Sequence, residues 1–477
     1  MGCNARTLRD CIIAALLAMT IAAADAALPP PVAQALAAAG IPESAVGLYA
    51  HDVGADKPIV VHNPERAFNP ASTMKLVTTY AGLELLGPAY TWNTDVYATG
   101  PIANEVLAGD LVIKGHGDPK LTLEKLWLVL RGLRARGLRD IRGDVVLDRT
   151  FFSVEDYDPG RFDGEPLRPY NTGPDALLVN FKAITLALVP EPESRSVRIL
   201  AEPALPQIQI VNALAYNDGP CGDWLGRLKI DGQTLGDAAR LTLAGPYSRD
   251  CGERTRSFSL LDHPAYAAAL FTQMWRELGG NVTGTVRNGI APAGAHLISS
   301  ARSESLSEIV RDINKYSNNV MARQLFLTLG AVAEGAPGTL DKSRGVVRQW
   351  LAHKGIAAPE LVVDNGSGLS RIGRISARTL GEMLLAAFRS AVMPELVASL
   401  PLVAADGTMR RRLPGADVAG QAHIKTGALA NVRAIVGYVL DARGRRVAVA
   451  FIVNHPNAGA AVAAQDALLR WLHRAGR

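Results

Sequence analysis

The period of the hydrophobic pattern changes between residues 88 and 257, and this change argues against one continuous core. Short strand-like pieces there (EVLAGDLVIKG, IRGDVVLD, SVRILAEP, ARLTLAG) alternate with Gly, Pro and Asp turns, and helical spacing is sparse. On either side the pattern is α/β. SAVGLYAHDV and PIVVHN read as two strands across a short turn, and VRAIVGYVL and VAVAFIVNH as a hairpin across DARGRR. Helical spacing dominates 302–400, in SESLSEIVRDINKY, NVMARQLFLTLGAVA and SARTLGEMLLAAFRS. The expected organisation is an α/β (α+β) domain built from 27–87 and 258–477 and interrupted by a β-rich insertion at 88–257.

The first 26 residues stand apart from this scheme. Arg6 and Arg9 precede the apolar run CIIAALLAMTIAAA, and a small-x-small site ends at Ala26. That is the layout of a secretory signal, too short to span a bilayer and closed off by Asp25 and Pro29-Pro30-Pro31. An uncut anchor is the alternative. The mature chain is still too long for a single hydrophobic core, which again requires more than one domain. No later segment is long and apolar enough to cross a membrane. The closing stretch AGAAVAAQDALLRWLHRAG has the spacing of an amphipathic helix, expected to pack back on the sheet, with a membrane-surface role as the alternative.

Export bears on the cysteines. Cys3 and Cys11 leave with the signal, while Cys221 and Cys251 travel to an oxidising compartment. A structural disulfide between them is expected, the alternative being two separate buried thiols. The nine histidines include no HExxH or other ligand spacing, so no metal is expected. His116 and Asp118, in KGHGDP, read as shaping a turn. The net charge of +5 is scattered, and Arg410-Arg411-Arg412 lacks interleaved aromatics, which argues against nucleic-acid binding.

Three short stretches carry chemistry only in combination. ASTMKLVTTYAGLELLG, at 71–87, reads as a helix stopped by Gly87-Pro88, with Ser72 at its start and Lys75 on the same face one turn later. Ser317-Asn318-Asn319 lies at a junction between two helical patterns, and Lys425-Thr426-Gly427 leads into a strand. Alone, each has an ordinary reading as a cap or a turn. Together, in the order SxxK, SxN, KTG, they form the motif set of penicillin-interacting serine enzymes. A serine hydroxyl needs a base to become a nucleophile. Lys75 can be that base if it is unprotonated, and a second cation, Lys425, pushes it that way. In this reading Ser317 relays the proton to the leaving nitrogen, and Asn319 orients Lys75. Thr426 and Lys425 face the substrate's terminal carboxylate. The backbone N–H groups of Ser72 and Ala428 are the expected oxyanion donors, with Gly427 between the binding positions.

The long interval from Ser72 to Ser317, holding the insertion, and the shorter one to Lys425 sharpen the comparison. With NPASTMKL, GHGDP, VVDNGSGLSR (362–371), ADGTMRRRL (405–413) and IKTGALANVRAIVGYV (424–439), the chain resembles the class C low-molecular-mass penicillin-binding proteins. These are the D-alanyl-D-alanine carboxypeptidase/endopeptidases of serine peptidase family S13. The resemblance implies a transpeptidase/β-lactamase-like domain, an antiparallel sheet flanked by helices, with two small inserted domains. It also implies a periplasmic enzyme without cofactor, acting on peptidoglycan stem peptides and inhibited by β-lactams. Asp364, Gly366 and Ser367 either border the cleft or form a structural loop, and are left outside the catalytic set. One position departs from the family pattern: Ala428 stands directly after KTG, where Thr or Ser is usual. Two other readings share the motifs. A β-lactamase lacks a place for this insertion and would carry an ExxLN element after Ser317, which is absent. A silent wall-binding protein would tolerate loss of the five polar residues, all of which are present.

Overall fold

The computed structural model describes residues 27–154 and 157–475. The segment expected to be a signal, the expected cleavage site after Ala26, and Cys3 and Cys11 lie outside the described residues.

A five-stranded antiparallel sheet organises the first unit. Its strands are β1 (Val46–Asp52), β2 (Val60–His62), β3 (Ala422–Leu429), β4 (Val432–Leu440) and β5 (Arg446–Asn454), in spatial order β3-β4-β5-β1-β2. The two ends of the chain therefore meet in one sheet, with β1 paired to β5 from Val46↔Val453 to Asp52↔Val447. β4 is nearly all apolar because both of its faces are covered. Ala434, Val436 and Tyr438 join one core cluster, while Ile435 and Val439 join the other.

The second of these clusters is roofed by the terminal helices. α1 (Pro30–Ala38) contributes Val32 and Leu36. On the first cluster lie α2 (Lys75–Leu86), α3 (Leu306–Tyr316), α4 (Asn319–Glu334), α5 (Leu340–His353) and α6 (Ala377–Phe388). The last helix, α7 (Val462–Arg474), returns to α1 and buries Leu468, Leu469 and Leu472 completely. Burial of each such side chain contributes roughly 1.5–3 kcal/mol. Its apolar face thus packs inside the molecule, with Ala467 and Trp471 partly buried beside it. No helix of the described residues is long and apolar enough to cross a membrane.

The segment between α2 and α3 forms four smaller sheets. Two are three-stranded, built from 184–258. The other two join strands from 93–148 to strands at 281–302. Here the structure differs from the sequence expectation. Residues 258–302, assigned from sequence to the catalytic unit, take their partners from the insertion. Val286–Gly289 pairs in parallel with Val145–Asp148, and His296–Arg302 pairs with Asn93–Ala98. The helix His263–Glu277 buries Leu270, Phe271 and Trp275 in the core of the inserted segment. Its amphipathic spacing looks like that of the catalytic helices, and only its tertiary partners distinguish them. A second helix, Leu123–Ala135, also stands in a region where the sequence shows sparse helical spacing. It buries Leu126, Val129, Leu130 and Leu133, the i, i+3, i+4, i+7 stripe of an amphipathic helix.

Cys221 and Cys251 form a disulfide. It ties the loop after strand Ile208–Asn217 to the turn after strand Ala238–Ser248, two strands that run parallel.

Candidate active site

Three chain segments converge where α2, the α3–α4 junction and β3 meet. Ser72 sits in a tight turn, Ala71–Met74, that runs directly into α2. The turn is pinned from behind by Asn69. Its amide donates to the Ser370 carbonyl, its side-chain oxygen accepts from Ala71 N–H, and its own N–H donates to Asn454 on β5. Ala71 is a buried non-glycine residue at φ +49°. Ser317 is another left-handed residue, at φ +57°, ψ +37°, where α3 ends. Left-handed backbone costs an L-residue about 1–2 kcal/mol. Both strained positions lie at or beside a serine of the site. Asn318 caps α4 by accepting from Met321 N–H, so the flanking Ser317 and Asn319 are the residues that face inward.

Lys75 is fully buried, and its Nζ lies 3.1 Å from Ser72 Oγ, 2.6 Å from Asn319 Oδ1 and 2.6 Å from the Ser367 carbonyl. Lys425 is equally buried, with Nζ 2.9 Å from Ser317 Oγ and 2.8 Å from its neighbour's carbonyl, that of Thr426. Burial, then the charge of Lys425, then that of Arg323, hold the Lys75 amine well below the usual lysine range. Burial alone pushes Lys425 down to about 7.

The contact set of Lys75 has a chemical consequence. Asn319 Oδ1 and the Ser367 carbonyl can only accept, so they take two N–H bonds. The third neighbour, Ser72 Oγ, is a hydroxyl and can donate. A neutral amine has two N–H groups and one lone pair, which matches this environment atom for atom. The arrangement can therefore take up the Ser72 proton.

The strand carrying Lys425 approaches the serine turn closely. A Cβ at Gly427 would stand 2.5 Å from the Pro70 carbonyl and 3.2 Å from Ala71 Cβ. Side chains alternate along β3, so Thr426 and Ala428 share the outer face while Lys425 and Gly427 point toward the serine turn. Thr426 Oγ1 lies 2.7 Å from Thr408 Oγ1.

The structure thus brings Ser72, Lys75, Ser317, Asn319 and Lys425 together, beside the strand Thr426–Ala428. It also shows contacts that the sequence reading did not assign. Ser367 contributes its carbonyl to Lys75, and Gly368 lets that loop in, since a Cβ there would lie 1.9 Å from the Ala71 carbonyl. Arg323, one turn after Asn319 on α4, donates to the Tyr170 and Thr172 carbonyls and stacks on the Tyr157 ring. Asn319 Nδ2 also points at the Tyr170 carbonyl, 3.4 Å away, so the inserted segment borders the site. The i+4 spacing from Asn319 was the available signal for Arg323. A backbone carbonyl such as that of Ser367 leaves no side-chain signature. Among the described residues no cluster of three or more His, Cys, Asp or Glu side chains could hold a metal.

Comparison with known proteins covers almost the whole chain. Residues 30–475 match the D-Ala-D-Ala carboxypeptidase 3 (S13) family. The chain belongs to that family. It is accordingly a D-Ala-D-Ala carboxypeptidase by class, a serine hydrolase and a penicillin-binding protein. The chain is similar to the D-alanyl-D-alanine carboxypeptidase DacB of Haemophilus influenzae, 26% identical over 422 residues, spanning 88% of this chain and 87% of the relative. It is 30% identical over 431 residues to the D-alanyl-D-alanine carboxypeptidase of an Actinomadura species, covering 84% and 76%. The crystal structure of penicillin binding protein 4 (dacB) from Haemophilus influenzae superposes with a TM-score of 0.80 at 25% identity, over 93% of this chain and 99% of that one. As an S13 protein the chain has the mixed α/β, antiparallel-sheet architecture expected from its motifs.

Proposed function

We propose that this S13 chain is an exported D,D-peptidase that cleaves peptidoglycan stem peptides through an acyl-enzyme on Ser72. The observation that carries the reading is a fully buried Lys75 amine, 3.1 Å from Ser72 Oγ, that burial and the Lys425 charge hold well below the usual lysine range. Neutral Lys75 removes the Ser72 proton as Oγ attacks the carbonyl of the penultimate D-alanine. The oxyanion is held by the backbone N–H groups of Ser72 and Ala428. Ser317, hydrogen-bonded to Lys425, relays the proton taken up by Lys75 to the departing nitrogen as the C–N bond breaks, which returns Lys75 to its neutral form. Water then hydrolyses the ester and restores Ser72. Lys425 and Thr426 anchor the substrate's terminal carboxylate, with Gly427 permitting the close approach of strand and nucleophile.

The same chemistry serves two bonds, the D-Ala–D-Ala terminus and the D-Ala–diaminopimelate cross-link, so carboxypeptidase and endopeptidase activities are both assigned. Penicillins, which present a strained amide beside a carboxylate, acylate the same serine. The signal-like segment ending at Ala26 supports export, and substrate chemistry supports the periplasm. We further divide the mature chain into a catalytic unit, up to about residue 92 and from about 303 onward, and an inserted β-rich region between. A labelled penicillin tests the central claim. It should attach to Ser72, and Ser72→Ala should abolish labelling while leaving the melting temperature near that of the parent. Labelling of the alanine variant at the parent's rate would refute the assignment.

A further inference from the structure

Ala428 removes a hydroxyl from the face that Thr426 presents to the cleft, yet the structure puts another hydroxyl there from a different segment. Thr408 lies in a short turn, Gly407–Met409, and its Oγ1 is 2.7 Å from Thr426 Oγ1 at an exposed position. The turn is built to stay in place. Asp406 accepts from Lys315 Nζ at 2.6 Å and, through its other oxygen, from Leu402 N–H at 2.8 Å. Lys315 also donates to the Leu400 carbonyl. Gly407, at φ +52°, fits against the Lys315 carbonyl, which a Cβ would approach to 2.5 Å. Met409 closes the turn from inside, fully buried. Lys315 lies two residues before Ser317, so one anchor fixes Thr408 relative to both Ser317 and β3.

Two hydroxyls in contact share one hydrogen bond and keep one O–H free. Whichever of the pair donates internally, the other is polarised to donate outward, and each can reach a common acceptor beside them. We propose that Thr408 is a substrate-binding residue, forming with Thr426 a two-hydroxyl clamp for the substrate's terminal carboxylate. Thr408 thereby takes over the contribution that a hydroxyl at position 428 would make. The inference rests on the assignment of Lys425–Thr426 as the carboxylate anchor.

The test compares hydrolysis of an N-acylated peptide ending in D-Ala-D-Ala with acylation by a thioester of matched acyl group whose leaving part lacks a carboxylate. A hydrogen bond to a charged acceptor corresponds to roughly 10- to 100-fold. Thr408→Val should lower kcat/KM for the carboxylate substrate by about ten-fold or more, mainly through KM, and leave the thioester rate within about two-fold. Thr408→Ser should retain activity, and Ala428→Thr added to Thr408→Val should restore much of the loss. An equal loss on both substrates would mean that Thr408 only braces the turn, and no loss on either would also overturn the proposal. Thr426→Val separates the two levels of the argument. If it loses carboxylate discrimination while Thr408→Val does not, the clamp is wrong and the anchor stands. If neither variant loses it, the anchor assignment fails as well.

Discussion

Lys425 lowers the basicity of Lys75 although the two amines are held by different oxygens. Lys75 reaches Ser72, Asn319 and the Ser367 carbonyl, while Lys425 reaches Ser317 and the Thr426 carbonyl. Both are fully buried, and burial is the leading cause of each downward shift. No ion pair joins either amine to a carboxylate among the described residues. Burial therefore pushes each toward its neutral form, Lys425 only to about 7, so it still carries charge near neutrality and biases Lys75 further. Two amines coupled in this way release their protons in linked steps.

The division of roles can be separated by arginine replacement. A guanidinium stays protonated at any ordinary pH, so it cannot accept the Ser72 proton. Lys75→Arg should abolish penicillin acylation, a loss of three orders of magnitude or more, which is roughly 4 kcal/mol of barrier. Lys425→Arg keeps a cation in the cleft but changes its geometry, so acylation should be slowed and still measurable. The check is the single-turnover acylation rate of each variant. An active Lys75→Arg beside a dead Lys425→Arg would reverse the assignment of base and anchor.

Two glycines set the distances on which this chemistry depends. Gly427→Ala would place a Cβ 2.5 Å from the Pro70 carbonyl, and Gly368→Ala would place one 1.9 Å from the Ala71 carbonyl at φ +74°. Neither neighbour is a flexible side-chain end, so backbone must move. The first substitution should open the gap between β3 and the serine turn, the second should withdraw Ser367 from Lys75. Acylation is expected to fall at least ten-fold in each, because small displacements of reacting groups are costly. Gly368→Ala should also lower stability by more than 1 kcal/mol, from left-handed backbone combined with the clash. Denaturation midpoints alongside acylation rates give the check.

How much the sequence made legible depends on how local each signal is. SxxK is one helical turn and SxN a helix junction, so those side chains could be placed before any tertiary contact was known, whereas KTG, read as leading into the strand VRAIVGYVL, lies inside a strand of its own, β3, paired to that one. The hairpin β4–β5 was equally plain, because both strands are dense in the Val, Ile and Ala that two covered faces demand. The boundary near 302 was not legible. The helix His263–Glu277 has the same stripe as any catalytic helix, and its membership is decided by pairing at 281–302 with strands more than a hundred residues earlier. From sequence Ser367 reads only as bordering the cleft or forming a loop, and its contact with Lys75 was not legible for another reason. Its contribution is a backbone carbonyl, delivered by a loop whose glycines signal only close approach. Thr408 is visible as a residue of ADGTM, but only the fold sets it against Thr426.

The disulfide of the inserted segment should matter for stability and not for chemistry. It closes a separation of 30 residues, which on the chain-entropy account stabilises by roughly 3–4 kcal/mol. Cys251 is buried in the inserted core beside Tyr247 and Leu243, whereas the catalytic residues draw on other elements. The double substitution Cys221→Ser with Cys251→Ser should therefore raise protease susceptibility of 208–258 by a hundred-fold or so. Penicillin acylation of the intact fraction should remain within about two-fold. Limited proteolysis followed by mass mapping of the cuts is the measurement, and unchanged protection would show that the bridge adds little.

The pH dependence of acylation offers the sharpest test of Asn319. Its Oδ1 lies 2.6 Å from Lys75 Nζ and carries no charge, so it favours the ammonium less than a carboxylate at the same place would. Asn319→Asp keeps the size and the acceptor but adds a carboxylate beside the amine. An adjacent opposite charge favours the charged form, so the Lys75 pKa must rise. Base catalysis needs the unprotonated amine, and a higher pKa means fewer molecules hold it at a given pH. The acidic limb of the acylation profile should accordingly move to higher pH, with slow reaction at neutrality that recovers as alkali is added. Asn319→Asp also replaces the Nδ2 group that faces the Tyr170 carbonyl, which lowers the rate at all pH values alike and does not move the limb. Stopped-flow acylation by a chromogenic β-lactam across the pH range separates the two effects. A uniform drop with the limb unmoved would mean that Asn319 acts on substrate or structure and does not set the protonation of Lys75.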